Sequence, residues 1–160
     1  MSNVIMMCGV CGSGKTTYVK QKEKNGYIRL SIDEELWKTY GRKGIDYPDS
    51  RYEELSEKVE AMLCERLIRF IKDRKDVVID FSFWSKRNRS FYRTIIEKAG
   101  GTAELVYMKA SKETLQKRLK KRNTLLNANS PFIITNEILE HHYNDFEEPR
   151  GEGEIILLQD

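Results

Sequence analysis

Val4-Ile5-Met6-Met7-Cys8-Gly9-Val10-Cys11-Gly12-Ser13-Gly14-Lys15-Thr16-Thr17 starts as an apolar run, passes through three glycines and ends on Lys-Thr-Thr. Val4–Met7 reads as a buried strand, since a short unbroken apolar stretch is what a strand covered on both faces presents. Gly9 to Thr16 fills every fixed position of G-x-x-x-x-G-K-[ST]. Gly12 and Gly14 let successive backbone N–H groups turn inward, so the segment predicts an anion nest at the start of a helix over Lys15–Lys24. Lys15 is expected to reach the β- and γ-phosphates of a nucleotide as a cation, and the Thr16 hydroxyl to ligate Mg²⁺. Gly9, Cys11, Gly12, Ser13, Gly14 and Thr17 complete the candidate cradle. Cys11 reads as a small filler, with a second reading in which Lys15 and the helix N-terminus lower its pKa and make it oxidisable.

Outward from this loop the chain alternates short apolar runs with longer amphipathic stretches. Tyr27–Ser31, Val77–Phe81, Leu105–Met108 and Ile155–Leu158 are the further strand candidates. Ser31-x-x-Glu34 and Ser50-x-x-Glu53 have capping-box spacing and each predicts a helix. After Ser50, Leu55, Val59, Met62, Leu63, Leu67, Phe70 and Ile71 fall on one helical face. Ser85 to about Ala99, Ser111–Arg122 and Thr135–Tyr143 are the remaining helices. Strands alternating with helices imply a parallel sheet covered on both faces, the three-layer α/β/α arrangement, with ligands beyond the C-terminal strand ends. In 160 residues this predicts one domain, 1–160, with a lid over approximately 118–131 where the basic helix gives way to the polar run Asn123–Ser130.

Charged residues make up 33% of the chain, above the usual quarter or so, yet they nearly cancel to +3. That balance does not mark the whole surface for nucleic acid, so partners have to be argued from local charge. Val4–Cys8 is the longest apolar run, far below the roughly 18 residues of a membrane span. Three cysteines form no even framework. The expectation is a cytoplasmic protein with no membrane partner, monomeric or homodimeric.

Chemistry beyond the cradle falls on a few further positions. Asp33, at the mouth of a helix after the second strand, reads either as the base that accepts a hydroxyl proton in phosphoryl transfer or as a helix-capping residue. Asp80 closes a buried strand and reads either as a Mg²⁺ carboxylate acting through water or as the cap of the next turn. Phe81, Phe83 and Trp84 beside Arg87, Arg89 and Arg93 read as an acceptor-binding cluster or as core aromatics beside a solvated helix face. Arg118 and Arg122, four apart, share a helix face and could stabilise charge on a triphosphate. His141-His142 reads as a surface pair, since adjacent helical residues point about 100° apart.

GVCGSGKTT, Ser31-x-Asp33, Val77-Val78-Ile79-Asp80 with Arg87, Leu115-x-x-Arg118-x-x-x-Arg122 and Phe146-Glu147-x-Pro149 together resemble the P-loop kinases of the nucleoside-monophosphate-kinase type. Within these they are similar to the group that includes polynucleotide 5′-kinase, the zeta toxins and chloramphenicol phosphotransferase. The resemblance implies a P-loop NTPase fold whose five parallel strands run in the order 2-3-1-4-5. It also implies ATP as the nucleotide, Asp33 as general base, and Arg118 and Arg122 as lid arginines on ATP. Polynucleotide kinases carry an arginine three residues after the base; here Leu36 stands there, followed by Trp37. An apolar wall with Trp37 and Arg87 on the acceptor side implies an acceptor without the phosphate that arginine grips.

The reading is therefore an ATP-binding, Mg²⁺-dependent kinase acting on a hydroxyl of a small molecule. Catalysis is assigned to Lys15, Asp33, Arg118 and Arg122, and the metal to Thr16 and Asp80. Two alternatives stand beside it: a nucleic-acid 5′-hydroxyl kinase, disfavoured by Leu36 and Trp37, and a nucleotide-binding switch that transfers nothing.

Overall fold

The computed structural model describes residues 1–124 and 133–160. Five strands, β1 (Asn3–Cys8), β2 (Ile28–Leu30), β3 (Val77–Ile79), β4 (Thr102–Lys109) and β5 (Ile155–Leu158), form one sheet in the order β2-β3-β1-β4-β5. Every neighbouring pair is parallel, the order and direction expected from the sequence. Six helices are described: α1 (Lys15–Lys24), α2 (Ile32–Tyr40), α3 (Tyr52–Lys72), α4 (Lys86–Lys98), α5 (Lys112–Arg122) and α6 (Asn136–Asp145).

The two faces of β1 show how the sheet is covered. Successive strand side chains point to opposite faces, so Val4, Met6 and Cys8 join a core with α2, α3 and α4, while Ile5 and Met7 pack with Val19 of α1. The larger core is built on α3, whose Leu55, Val59, Leu63, Leu67 and Ile71 are all buried. Each such side chain contributes roughly 1.5–3 kcal/mol on burial, so this helix anchors its side of the sheet. A third cluster joins Val10 of the glycine loop to Leu115 and Leu119 of α5, Ile134, and Leu139 of α6. The glycine loop thus rests on the two helices that flank residues 125–132, and the second half of the sequence-predicted lid lies outside the described residues.

Serine and threonine side chains start four of the helices. Ser31, Ser85, Ser111 and Thr135 each accept a hydrogen bond from the backbone N–H three residues on. The predicted cap of α3 differs. Asp49–Arg51 forms a 3₁₀ turn after Pro48, and α3 begins at Tyr52 with no side-chain cap. Proline cannot donate its nitrogen and favours a tight entry here, so Ser50 is spent inside the turn. β4 starts three residues earlier than the apolar run suggested, because Thr102–Glu104 pairs along β1 although partly exposed. β3 ends at Ile79, before the predicted Phe81. The chain leaves the sheet with Asp80 N–H donating to Leu30 O at 2.8 Å.

Candidate active site

Beyond the C-terminal ends of β1, β2 and β3 lies one cavity of about 840 Å³, within the roughly 300–1,000 Å³ usual for small-molecule sites. The whole loop from Gly9 to Thr16 lines it. Gly12 and Gly14 have φ of 85° and 98°, a region that side-chain-bearing residues enter only at a cost. Gly14 caps α1 with no side-chain bond, so the first N–H groups of this helix stay available where Ser or Thr serves four others. Lys15 Nζ donates to Gly9 O at 2.7 Å and to Val10 O at 3.4 Å, folding the ammonium back over the cradle. Burial lowers its pKa, and the negative charge of Asp80 opposes that loss most strongly. Inside the loop the buried Ser13 Oγ has no hydrogen-bond partner among the described residues. An unsatisfied buried hydroxyl over open N–H donors is what a bound polyanion would complete.

Asp33 and Asp80 face the same cavity from different strands. The Ser31 cap places Asp33 in the first turn of α2. Burial, and then the charge of Asp80, raise its carboxyl above the ordinary range, while Arg122, Lys15 and Arg29 pull the other way. The Tyr52 phenol lies beside it and is itself held protonated by burial and by that carboxylate. Asp80 is clamped by Arg29, whose Nη2 donates to Oδ2 at 2.6 Å and whose Nη1 reaches Glu34 at 2.8 Å. Thr16 lines the cavity with Asp80. Mg²⁺ is bound through one or two carboxylates with waters and substrate phosphates. A hydroxyl and one buried carboxylate beside a phosphate cradle fit that ion. No group of three His, Cys, Asp or Glu suited to a metal occurs among the described residues.

Arg118 and Arg122 both enter the cavity from the last turns of α5. Arg118 Nη2 donates to Gln159 O at 3.1 Å and stands next to Gly14, where an added Cβ would lie 3.2 Å from Nη1. Arg122 acts electrostatically on Lys15, Asp33 and Cys11.

Four expectations are corrected by position. Leu36 belongs to the core, 3% exposed, and neither it nor Trp37 lines the cavity. Arg87 is exposed on the first turn of α4 and outside the cavity; its neighbour Asn88 lines it instead. Of the expected aromatic–arginine cluster, Phe81, Phe83 and Trp84 do line the cavity, whereas Arg89 is 1% exposed and bound to Glu152, so its part is framework. Thr17 is exposed and does not line the cavity. The reactive reading of Cys11 also fails: burial raises its thiol more than Lys15 lowers it.

Sequence reading missed His142, which lines the cavity from α6 with Nδ1 3.5 Å from Cys11 Sγ. It also missed Arg29 and the α3 residues Tyr52, Ser56 and Glu60. Only the four-residue spacing of those three could have hinted at a shared face.

Residues 4–149 match the AAA domain family. The chain belongs to that family. This AAA domain is 28% identical over 120 residues to a UPF0200 protein of Pyrobaculum aerophilum; the match takes in 74% of the chain and 66% of that protein, just under two thirds of its length. A gluconokinase from Sinorhizobium meliloti superposes with a TM-score of 0.66 at 19% identity, covering 98% of this chain and 82% of that one. Kti12 of Chaetomium thermophilum, solved with ADP-AlF3, gives 0.63 at 15% identity over 98% of this chain and 89% of its own. The AAA domain therefore has the P-loop kinase fold, a nucleotide-binding architecture. No helix among its described residues is long and apolar enough to cross a membrane.

Proposed function

We propose that this AAA domain is a cytoplasmic, Mg²⁺-dependent kinase that transfers the γ-phosphate of ATP to a hydroxyl of a small-molecule acceptor. One observation carries the reading: a buried carboxylate of raised pKa, Asp33, shares a single cavity with the glycine cradle, Lys15, Asp80, Arg118 and Arg122. The fold likeness to a gluconokinase, and to Kti12 solved with ADP-AlF3, supports it.

In this reading the loop N–H groups and Lys15 hold the β- and γ-phosphates, and Lys15 exchanges its bonds to Gly9 O and Val10 O for phosphate oxygens. Asp33 orients the acceptor hydroxyl and takes its proton as the new O–P bond forms and the bond from γ-phosphorus to the β–γ bridging oxygen breaks, releasing ADP. A carboxyl whose pKa is raised is, once ionised, a stronger base than an ordinary one. Thr16 and Asp80 would hold Mg²⁺, which neutralises phosphate charge when bound. Arg118 and Arg122 offset charge that develops on the transferring group, an electrostatic role worth most in a water-poor site.

The test is ATP consumption measured with and without hydroxyl compounds, for wild type, Lys15→Ala and Asp33→Asn. The expectation is that one acceptor class stimulates turnover, that Lys15→Ala removes productive ATP use, and that Asp33→Asn retains ATP binding while losing about 10²–10⁴-fold in transfer. Slow hydrolysis indifferent to every acceptor, including nucleic acid with a 5′-hydroxyl, would instead favour the non-transferring switch.

A further inference from the structure

The acceptor half of the cavity is walled by hydrogen-bonding groups of little positive charge. Tyr52, Ser56 and Glu60 stand at four-residue intervals and present one face of α3 to the cavity. The Ser56 hydroxyl is shut away from solvent beside the Tyr52 phenol, with which it interacts. Glu60 lines the cavity and is fixed through one oxygen, Oε1 accepting from the Tyr92 hydroxyl at 2.8 Å. Asn88 enters from the first turn of α4, its backbone N–H already used by the Ser85 cap. Phe81 closes this side, its ring 5.6 Å from that of Phe83.

Charge decides between acceptors. Asp33 and Glu60 both line this half. Arg29, which also lines the cavity, is held by Asp80 and Glu34. Lys15 and Arg118 stand at the phosphate cradle, and Arg122, which acts on both Lys15 and Asp33, is assigned to the triphosphate in the kinase reading. Lys20, exposed on α1 one turn after Thr16, also lines the cavity, from the helix that carries the cradle; an acceptor carrying its own carboxylate or phosphate would lie against Asp33 and Glu60, an arrangement that disfavours it by like-charge repulsion. A chain of neutral hydroxyls, by contrast, can donate to Glu60 and Asp33, accept from Asn88, and bond to the Ser56 hydroxyl, with its C–H face against Phe81.

We infer that the acceptor of this site is an uncharged polyhydroxylated, carbohydrate-like alcohol, gripped by Ser56, Glu60 and Asn88 and phosphorylated on the hydroxyl nearest Asp33. The inference rests on the kinase reading and narrows it.

The experiment offers the full chain MgATP with equal concentrations of neutral polyols (xylitol, sorbitol, glucose), the anionic hydroxy acids gluconate and glycerate, and adenosine 3′-monophosphate. Product is read by phosphorus NMR. A neutral polyol is expected to be the preferred acceptor, by about tenfold or more in kcat/KM over its carboxylate counterpart. Asn88→Leu should raise the KM for that polyol, and Ser56→Ala should raise it by about 2–10-fold, the range for losing one uncharged hydrogen bond. Glu60→Gln keeps an oxygen for Tyr92 and removes the charge, so it should narrow the preference over gluconate. A wild-type preference for gluconate, glycerate or the nucleotide would overturn the inference and leave the kinase reading standing. So would Glu60→Gln leaving the polyol-to-gluconate ratio unmoved. Silence from every compound would sink the kinase reading and the inference with it.

Discussion

Arg89 is the least expected buried residue of this chain. It is 1% exposed, on the inner face of α4. Its Nε and Nη2 grip the two oxygens of Glu152 at 2.9 and 3.1 Å, and Nη1 donates to Phe83 O at 2.7 Å. Phe83 has a φ of 46°, a backbone state that costs a bulky residue energy. The guanidinium therefore fixes both the loop leaving β3 and the segment leading into β5. Arg89→Met keeps the apolar stem but strands the Glu152 carboxylate, 12% exposed, and leaves the Phe83 carbonyl without this donor. Removing one partner of a buried pair costs about 3–5 kcal/mol. Among chains of this size about 1 kcal/mol moves Tm by roughly 2–4 °C, so the expected fall is about 6–20 °C. Urea melts followed by circular dichroism give the free energy, with an unchanged m-value as the check that the unfolding reaction is the same. Replacing both partners, Arg89→Met with Glu152→Leu, should recover much of the loss, because an apolar pair leaves no stranded charge. A single-variant cost below about 1 kcal/mol, or a double variant no better than the single, would refute the reasoning.

Other consequences follow from the cavity. Since Asp33 must be ionised to take a proton, kcat/KM should fall on acidification through a pKa above the ordinary carboxylate range; Arg122→Met, which removes a charge that lowers this carboxyl, should move the acid limb to higher pH, and a limb that stays put would contradict the assigned proximity. The same raised carboxyl keeps its proton to higher pH in the folded protein than in the unfolded chain, so it erodes stability as pH rises through that interval. Asp33→Asn should accordingly melt above wild type at neutral pH and converge with it in acid, as measured by paired thermal scans. Gly14→Ala places a Cβ 2.9 Å from Gln159 Oε1 at a φ of 98°, and should weaken binding of a fluorescent ATP analogue by tenfold or more; near-native affinity would show that the loop does not need its left-handed turn. Cys11, with its thiol raised by burial, should alkylate with iodoacetamide more slowly than a free thiol at pH 7.5.

While the strand order was implied by the family resemblance, local order along the chain was enough to establish the strand–loop–helix cradle, the parallel sheet and four serine or threonine helix starts, and to put forward Lys15, Asp33, Asp80, Arg118 and Arg122 as candidates. These depend on spacing within one element or on a strand-end position, which is information a linear pattern holds. Tertiary packing decided which faces look inward. Leu36 went into the core that α2 shares with α3, so it does not wall an acceptor site, and Asn88 rather than Arg87 reached the cavity because the Ser85 cap fixed the first turn of α4. The Arg29–Asp80 pair spans 51 positions, and the Arg89–Glu152 clamp 63. Partners that far apart meet only when helices close over the sheet, so no short-range pattern could pair them. The α3 stripe of Tyr52, Ser56 and Glu60 read as an ordinary polar helix face until the fold turned it toward Asp33, and that rotation gives the acceptor chamber its chemistry.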